Sequence, residues 1–364
     1  MTPNDATPSD GTTGAADPAR EPRLSVVQVV RSDAFAGVER YICQVANQLV
    51  ARGHRVVTIG GDPGRMRTEL RSEVDHRPAT SVGQVARALC GQRSADVVHV
   101  HMTAAEVAAW LARPVQRAPI VATRHFPGDR GSGTLARLVA RITSRPLSRD
   151  IAISQFVADS IEGPCVLLPN GVSDRPQAPL DSHTVVMLQR LTPEKSPEVG
   201  LRAWSASGLG SKGWRLVVAG AGDLEGSLRR LSDQLQITGS VDFVGLVTDT
   251  DQLLDRSAIL LAPASAEPFG LSVVEAMAHG VPVVAADGGA HIETVGEDGR
   301  LFAAGDAGAA ARSLVALSDD IDLRRRVGGQ LRDRQRRSFS LARHVETLEG
   351  LYRQVIAETA AGRR

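Results

Sequence analysis

Aromatic side chains are scarce in this sequence. They make up only 3% of the 364 residues, so the chain offers few platforms for stacking on bases or sugars. An excess of charge of one sign is also missing. The formal net charge of +1 argues against a dedicated nucleic-acid binder, and we expect no nucleic-acid partner. Cysteine is rare and unclustered, at Cys43, Cys90 and Cys165, which disfavours a disulfide framework and a zinc site.

Long apolar runs are absent as well. No stretch of about 18 apolar residues occurs, so we predict no membrane-spanning helix. Residues 1–23 are rich in Thr, Pro, Asp, Gly and Ala and lack the apolar region of a secretory signal, which predicts a disordered tail. These features predict a cytoplasmic protein. Lysine is nearly missing too: only Lys195 and Lys212 occur among the 42 basic residues, which draws attention to Lys195.

Short β-branched runs alternate with amphipathic helical patterns along most of the chain. This alternation predicts an α/β fold of parallel βαβ units in doubly wound sheets. The strands predicted in the first half are 24–30, 55–59, 96–101, 120–123 and 165–168. After a proline-rich linker, the pattern restarts with strands at 184–188, 215–218, 241–243, 259–261 and 281–285.

The restart predicts two Rossmann-like domains, an N-terminal domain at 24–175 and a C-terminal domain at 180–335. Residues 336–364 contain a predicted helix, about 341–357, that follows no strand, and we expect it to pack back on the N-terminal domain. Ligands of open parallel sheets bind at the carboxyl ends of the strands. We therefore expect the two domains to face each other across a cleft that holds the active site.

A strand, loop, helix, turn and strand pattern carries the first candidate site. Glu267 lies on the loop, and Glu275 lies in the helix, roughly 7 Å along the axis from its start at about 1.5 Å per residue. Two carboxylates at this separation could hold different parts of an extended ligand. The N–H groups of Phe269, Gly270 and Leu271 would lie at the helix N-terminus, a natural site for an anion or a hydroxyl. The alternative is an amphipathic helix with two solvated acids.

A second candidate site lies at the end of the predicted strand 184–188. Arg190 closes this strand, and Lys195 lies in the loop before a helix that begins with Ser196 as N-cap and Pro197 in its first turn. Two cations and a helix N-terminus at one strand end favour a diphosphate site. The alternative is a solvated charge pair with Glu194.

These two stretches resemble the family-4 retaining glycosyltransferases of the GT-B fold, also described as glycosyl transferases group 1. The Glu-x7-Glu element of that family matches at Glu267 and Glu275, and its Arg…Glu-Lys element matches at Arg190, Glu194 and Lys195. Other marks of the family follow in order at Gly37-Val38-Glu39, 96–101, Thr123-Arg124-His125, Ile153-Ser154, 169–172, 220–223 and 243–245.

The resemblance implies roles for the matching residues. The implied catalytic residues are His125, Glu267, Arg190 and Lys195. The implied donor-binding residues are Arg190 and Lys195 at the diphosphate, Glu275 at the ribose, Glu267 with the amides of Phe269, Gly270 and Leu271 at the sugar, and also Gly220 and Gly37. Residues 242–246 would lie near the base, and Glu39 and His101 would lie on the acceptor side. Three positions depart from the family pattern, since Ala36, Gln189 and Ser196 stand where it has glycine.

Two other motifs have features of metal sites. Asp249 and Asp251 have the Asp-x-Asp form of a metal ligand pair, but capping of a short helix is the better explanation. His99 and His101 share one face of a strand, but no third ligand is evident. Residues 220–226 lack the spacing of a dinucleotide-binding loop. We therefore predict no metal and no cofactor.

The segment 135–145 has a basic stripe beside apolar residues. The stripe consists of Arg137, Arg141 and Arg145. Docking on a membrane surface, at its inner face, is one explanation. An ordinary solvated helix face is the favoured one.

Site chemistry and resemblance together predict a retaining glycosyltransferase that uses a nucleoside-diphosphate sugar, with a UDP-sugar favoured over a GDP-sugar. The acceptor would be a glycan, a lipid-linked sugar or a small natural product. One alternative is a nucleotide-sugar epimerase or hydrolase on the same fold. Another is a non-catalytic sugar-nucleotide binder. No oligomeric state is predicted.

Overall fold

The N-terminal domain is built on a seven-stranded parallel sheet. The structure, a computed structural model, describes residues 22–128, 141–145 and 147–362. The strands are β1 Ser25–Val30, β2 Arg55–Ile59, β3 Asp75–Arg77, β4 Val97–His101, β5 Ile120–Arg124, β6 Leu147–Ala152 and β7 Val166–Leu167. Their order in the sheet is β3-β2-β1-β4-β5-β6-β7. The helices are α1 Gly37–Ala51, α2 Pro63–Glu69, α3 Val82–Cys90, α4 Thr103–Ala112 and α5 Gln155–Ala158.

The C-terminal domain is built on a second parallel sheet, of six strands. Its strands are β8 Thr184–Leu188, β9 Arg215–Ala219, β10 Val241–Gly245, β11 Ile259–Ala262, β12 Val283–Ala286 and β13 Arg300–Phe302, in the order β10-β9-β8-β11-β12-β13. The helices are α6 Pro197–Ser207, α7 Glu225–Gln234, α8 Thr250–Asp255, α9 Leu271–Ala278, α10 His291–Val295, α11 Ala307–Asp319 and α12 Ile321–Ser338. Short 3-10 turns lie at Pro193–Lys195, Leu209–Lys212, Thr238–Ser240 and Gly296–Asp298.

These strands form because their apolar runs are covered by helices on both faces, as in doubly wound sheets. In each sheet the chain starts at a central strand, runs to one edge, and then continues on the other side of the first strand. The switch points therefore lie between β1 and β4 and between β8 and β11, and ligands of such sheets bind there. The predicted fold class, two doubly wound domains that face each other across a cleft, is confirmed.

The last helix, α13 Leu341–Ala361, returns to the N-terminal domain. Its buried face includes Leu348 and Tyr352, which belong to the same apolar cluster as residues of β1 and α1. Where the chain crosses back, the Val172 N–H donates to the Phe339 carbonyl at 2.8 Å. The N–H of Leu341 donates to the Val172 carbonyl at 3.0 Å. The two segments that join the domains are therefore hydrogen-bonded to each other.

The basic segment at 135–145 is described only from residue 141 onward, so Arg137 of its stripe lies outside the described residues. The predicted tail at 1–23 also lies almost entirely outside them. In the parts of the chain that the structure covers, we find no helix with the length and hydrophobicity that a bilayer crossing needs.

Candidate functional site

Lys195 and Glu267 form an ion pair in the cleft. The 3-10 turn after β8 places the Lys195 Nζ atom 2.5 Å from Oε2 of Glu267, which lies on the loop after β11. The side chains are only 13% and 12% exposed, so water screens the pair weakly. The second carboxylate oxygen, Oε1, accepts the Gly270 N–H at 3.2 Å. The two predicted motifs of the C-terminal domain therefore meet in one site.

The charge of Glu267 is maintained by its neighbours. Burial alone would raise the pKa of this carboxyl, but Lys195, His291 and the Phe269 N–H together hold the pKa below its usual value. Glu267 is therefore ionised at neutral pH. Its negative charge keeps the Lys195 ammonium at the end of β8, where an incoming phosphate would compete for it.

The loop before α9 turns sharply at Gly270, whose φ of 88° favours glycine. A Cβ atom at this position would lie 3.3 Å from the His291 ring, so the loop and α10 are tightly packed. Of the three amides predicted to point into the cleft, those of Phe269 and Gly270 are directed at Glu267. The Leu271 N–H belongs to the first residue of α9, so it has no partner within the helix.

Gly37 and Leu271 bring two helix N-termini together across the cleft. A Cβ atom on Gly37 would lie 3.3 Å from Cδ1 of Leu271, so the starts of α1 and α9 face each other. Ala36, which stands where the family has glycine, has an extended backbone with a φ of −134°, a conformation that alanine adopts without strain. Glu39 is buried, and its Oε2 accepts the Ala36 N–H at 2.9 Å, so its carboxylate holds the start of α1.

Glu275 is paired with a residue of the other domain. The Arg40 Nη1 atom, on α1, lies 3.4 Å from Oε1 of Glu275 and 3.2 Å from the Thr250 hydroxyl. Burial raises the pKa of Glu275, and Asp251 adds to this effect, whereas Arg40 and Arg175 oppose it. These residues line a cavity of about 270 Å³ between the domains. A ligand that binds Glu275 would therefore replace Arg40 as the partner of its carboxylate.

Arg190 is not part of the Lys195 cluster. Its side chain is 56% exposed, and its Nη2 atom lies 3.0 Å from Oε1 of Glu194. The neighbouring Gln189 instead supports the turn, because its amide donates to the Lys195 carbonyl at 3.1 Å. Ser196 occupies the predicted N-cap position of α6, but its φ is 48° and its side chain makes no capping hydrogen bond. The predicted N-cap position is therefore confirmed, but the side-chain hydrogen bond typical of a serine cap is not formed.

His125 lies at the carboxyl end of β5 and is 7% exposed. Its Nε2 atom is 3.0 Å from Nδ1 of His101, which has no exposed surface. As predicted, His99 and His101 share a face, and their ring centroids are 4.3 Å apart. His99 bonds to Tyr352 and Thr123 at 2.6 and 2.7 Å, so its ring nitrogens serve a hydrogen-bond network.

Gly220 follows the last residue of β9, and it lies next to Gly245, the last residue of β10. The φ of Gly220 is 142°, and a Cβ atom there would overlap the Gln189 carbonyl, so this glycine permits close passage of two chain segments. Its N–H donates to the Gly245 carbonyl at 2.7 Å. Val244 and Leu246 are exposed beside it and offer apolar surface near the predicted base position.

Asp249 caps α8 as predicted, since its Oδ1 atom accepts the Gln252 N–H at 2.9 Å. Asp251 lies 2.9 Å from Arg175 and 3.1 Å from Nε2 of His279. Within 22–128, 141–145 and 147–362, we find no cluster of three His, Cys, Asp or Glu residues that could hold a metal ion.

Several contacts across the cleft involve residues to which the sequence assigned no role in the site. The Ser154 hydroxyl donates to the Pro268 carbonyl at 2.7 Å. The Glu293 carboxylate accepts the N–H groups of Gln155 and Phe156 at 2.7 and 2.8 Å. Arg40 could have been selected because it follows the Gly37 motif directly. Glu293 lies in α10, where no motif marks it.

Two family models match the chain. The model described as Glycosyltransferase Family 4 matches residues 35–175, and the model described as Glycosyl transferases group 1 matches residues 173–334. Together they span every strand of both sheets except β1.

Similar proteins include a phosphatidyl-myo-inositol mannosyltransferase from Mycolicibacterium smegmatis, 29% identical over 94% of this chain and 98% of that protein. The exopolysaccharide phosphotransferase SCO2592 from Streptomyces coelicolor is 30% identical, but the match spans 54% of this chain and only 21% of that protein. Among solved structures, Alr3699/HepE from Anabaena in complex with UDP-glucose has a TM-score of 0.77 at 20% identity and covers 93% of this chain and 100% of its own.

Proposed function

Because this chain belongs to the family-4 glycosyltransferases and has their GT-B fold, we propose that it transfers a sugar with retention of configuration from a nucleoside-diphosphate sugar. The observation that carries the proposal is the Lys195–Glu267 ion pair beside the facing starts of α1 and α9. A UDP-sugar is favoured as donor, since the similar HepE structure contains UDP-glucose. The acceptor, for example a glycan, a lipid-linked sugar or a small natural product, would bind mostly to the N-terminal domain.

Lys195 would stabilise the departing diphosphate. Negative charge grows on the leaving phosphate in the transition state, and a cation fixed in a weakly solvated site lowers the energy of that state most. The Leu271 N–H and the start of α1 would add partial positive charge on the same side. Glu267 keeps the ammonium in place before the donor binds and would contact the sugar afterwards.

Retention is proposed to follow substitution on one face of the sugar. A double displacement would need two carboxyl groups about 5–5.5 Å apart, one of them free to act as nucleophile. Glu267 is occupied by Lys195 and by the Gly270 N–H, which makes it a poor nucleophile. The leaving phosphate would instead assist the acceptor hydroxyl as it attacks.

A donor screen tests the proposal. At about 100 times its Kd, a bound donor should stabilise the folded protein by about 2.7 kcal/mol and raise its melting temperature. We expect UDP-sugars to give larger shifts than GDP-, dTDP- or ADP-sugars. Incubation of the stabilising donor without acceptor should then give only slow release of nucleotide. Complete turnover would instead identify a hydrolase, and no shift with any donor would refute the proposal.

Activity is expected to survive EDTA. The diphosphate charge would be balanced by Lys195 and by helix N-termini, so the reaction does not require the charge compensation that a metal supplies in other transferases. The measurement is the initial rate after chelation and gel filtration. Loss of activity that Mg²⁺ or Mn²⁺ restores would contradict this expectation and would direct attention to Asp249 and Asp251.

Replacement of Glu275 by alanine should weaken donor binding by about 1.5–3 kcal/mol, the range for a hydrogen bond to a charged group. The proposed reason is the loss of contacts to the ribose hydroxyls. Calorimetry with UDP measures the change. Glu293→Ala is the matched control, because it also removes a carboxylate that bridges the domains but lies outside the proposed ribose site. Equal losses in both variants would indicate that Glu275 only holds the domains together.

A further inference from the structure

A row of hydrogen-bonded polar side chains crosses the apolar interior of the N-terminal domain. Gln28 lies in the middle of the apolar strand β1, and His99 and His101 lie on the neighbouring strand β4. Tyr352 reaches them from α13, the helix that returns from the C-terminal domain. All four side chains are fully buried. Buried polar groups of this kind form hydrogen bonds with defined directions, because an unpaired group would be costly.

The direction of the chain can be assigned from Gln28, whose amide has distinct donor and acceptor atoms. Its Nε2 atom donates to the Tyr352 hydroxyl at 3.0 Å, so the hydroxyl proton is free to be donated to Nδ1 of His99 at 2.6 Å. His99 then carries its proton on Nε2 and donates to the Thr123 hydroxyl at 2.7 Å.

The Oε1 atom of the Gln28 amide determines the tautomer of His125 through His101. The Oε1 atom of Gln28 can only accept, so His101, 2.7 Å away, carries its proton on Nε2. Nδ1 of His101 is therefore an acceptor, and it receives the N–H of Nε2 of His125 at 3.0 Å. His125 is left with an unprotonated Nδ1, which has no hydrogen-bond partner among the described residues. This atom is the one ring nitrogen of His125 that remains for a substrate.

We infer that Gln28, His101 and Tyr352 are positioning residues that fix His125 in the tautomer with a bare Nδ1, so that His125 accepts a hydrogen bond from a hydroxyl of the bound sugar. The inference rests on the proposed function and on the role that the family resemblance implies for His125, which is to reach the transferred sugar from the N-terminal domain. The opposite tautomer would present an N–H, so the same hydroxyl would have to accept and turn its own proton toward another group. The C-terminal helix thus contributes to the chemistry of a cleft that it does not line.

Protonation does not disturb this arrangement. Burial lowers the pKa of His125 to about 3 and lowers the pKa of His101 well below its usual value. Both rings are therefore neutral at neutral pH, and their tautomers are decided by hydrogen bonds alone.

A neighbouring pair provides a matched control. The Tyr41 ring packs edge-on against His125 at 5.4 Å, but its hydroxyl bonds to Nε2 of His344 at 2.9 Å. His344 donates from Nδ1 to the Pro169 carbonyl at 2.7 Å. Tyr41 and Tyr352 are both buried and both bonded to a histidine, but only Tyr352 belongs to the chain that ends at His125.

The experiment compares Tyr352→Phe with Tyr41→Phe. Removal of the Tyr352 hydroxyl leaves the Gln28 amide free to turn over, which would reverse His101 and His125. We expect kcat to fall about 10-fold with an unchanged donor KM, because the sugar hydroxyl loses its acceptor on His125; a 10-fold loss corresponds to about 1.4 kcal/mol, within the range for one net hydrogen bond. Tyr41→Phe should keep kcat within about twofold, because its lost bond lies outside the chain. The tautomer of His125 is read by ¹H–¹⁵N spectra of histidine-labelled protein, with the His125 signal identified by its loss in His125→Ala.

The expected spectrum has the proton of His125 on Nε2 in the wild-type chain and wholly or partly on Nδ1 in Tyr352→Phe. A proton on Nδ1 in the wild-type chain would overturn the inference, and this holds even if the variant fails to fold. An unchanged tautomer in folded Tyr352→Phe, or equal losses of kcat in the two variants, would also overturn it. The spectra need no substrate, so they separate this inference from the proposed function, which fails instead if no nucleotide sugar binds to the protein.

Discussion

Replacement of Lys195 by alanine should lower kcat about 100-fold or more while changing donor affinity much less. A preorganised electrostatic contact to a developing charge commonly contributes this much, and its effect falls on the transition state. The structure strengthens the expectation, because the Lys195 ammonium is held at 2.5 Å from Glu267 with little access to water. The measurement is steady-state kinetics with a donor from the screen, together with calorimetry of UDP.

The chain offers a matched control for this variant. Lys212, the other lysine, pairs with Asp319 at 3.2 Å on the surface, and about half of its side chain is exposed. Lys212→Ala should leave kcat unchanged, since exposed ion pairs contribute little. A melting curve of Lys195→Ala separates lost catalysis from the cost of leaving Glu267 without its partner.

Arg190 gives a sharper version of the same test. We expect Arg190→Ala to lower kcat as well and the double variant to lose far less than the product of the two effects, because both residues would act on one leaving group. Arg190→Lys should not restore full activity if the guanidinium contacts two phosphate oxygens. Arg190 must first break its ion pair with Glu194 before it can contact a diphosphate. Near-normal turnover in both single variants would refute the diphosphate assignment.

His125→Ala should lose turnover by about 100-fold while binding free UDP as the wild-type chain does. The reason is that His125 would contact the transferred sugar. The sugar takes part in the chemical step but is absent from UDP, so only turnover should depend on this contact. The measurement pairs kcat with the UDP affinity of the same preparation.

A histidine with only a packing role gives a different pattern. His183 packs its ring edge against Trp214 at 5.1 Å in the C-terminal domain, so His183→Ala should lower the melting temperature and leave kcat nearly unchanged. If His125→Ala behaves in the same way, the catalytic assignment of His125 is wrong.

The strands that sequence analysis located are those with buried apolar runs. Every predicted strand is present, with bounds within two residues of the prediction. Three strands were missed: Asp75–Arg77, Leu147–Ala152 and Arg300–Phe302. The first is entirely polar, and the first and last are edge strands, which need little burial. The middle one begins Leu-Ser-Arg-Asp, so the polar residues hide the apolar run that follows.

The site was less accessible to sequence analysis than the fold. The motifs located Glu267 and Lys195 but did not reveal that the two form an ion pair, because residues 72 positions apart meet only through the topology. The Arg40–Glu275 contact also depends on how the two domains are placed. Gln28 was the strongest unused signal, since a polar residue within an apolar strand must find a buried partner. Its partner Tyr352 is 324 positions away and could not be found by spacing.

The paired crossings at Val172 and Phe339 limit how the cleft can open. Since both connections between the domains pass through one place and are bonded to each other there, that place acts as a single hinge. The domains can swing about an axis through it, but one cannot slide over the other without breaking both bonds. Donor entry and nucleotide release would then both require the same opening rotation about this hinge. A cut in either connection alone would leave the other to hold the pivot, so nicked protein should remain in one piece until the second is cut.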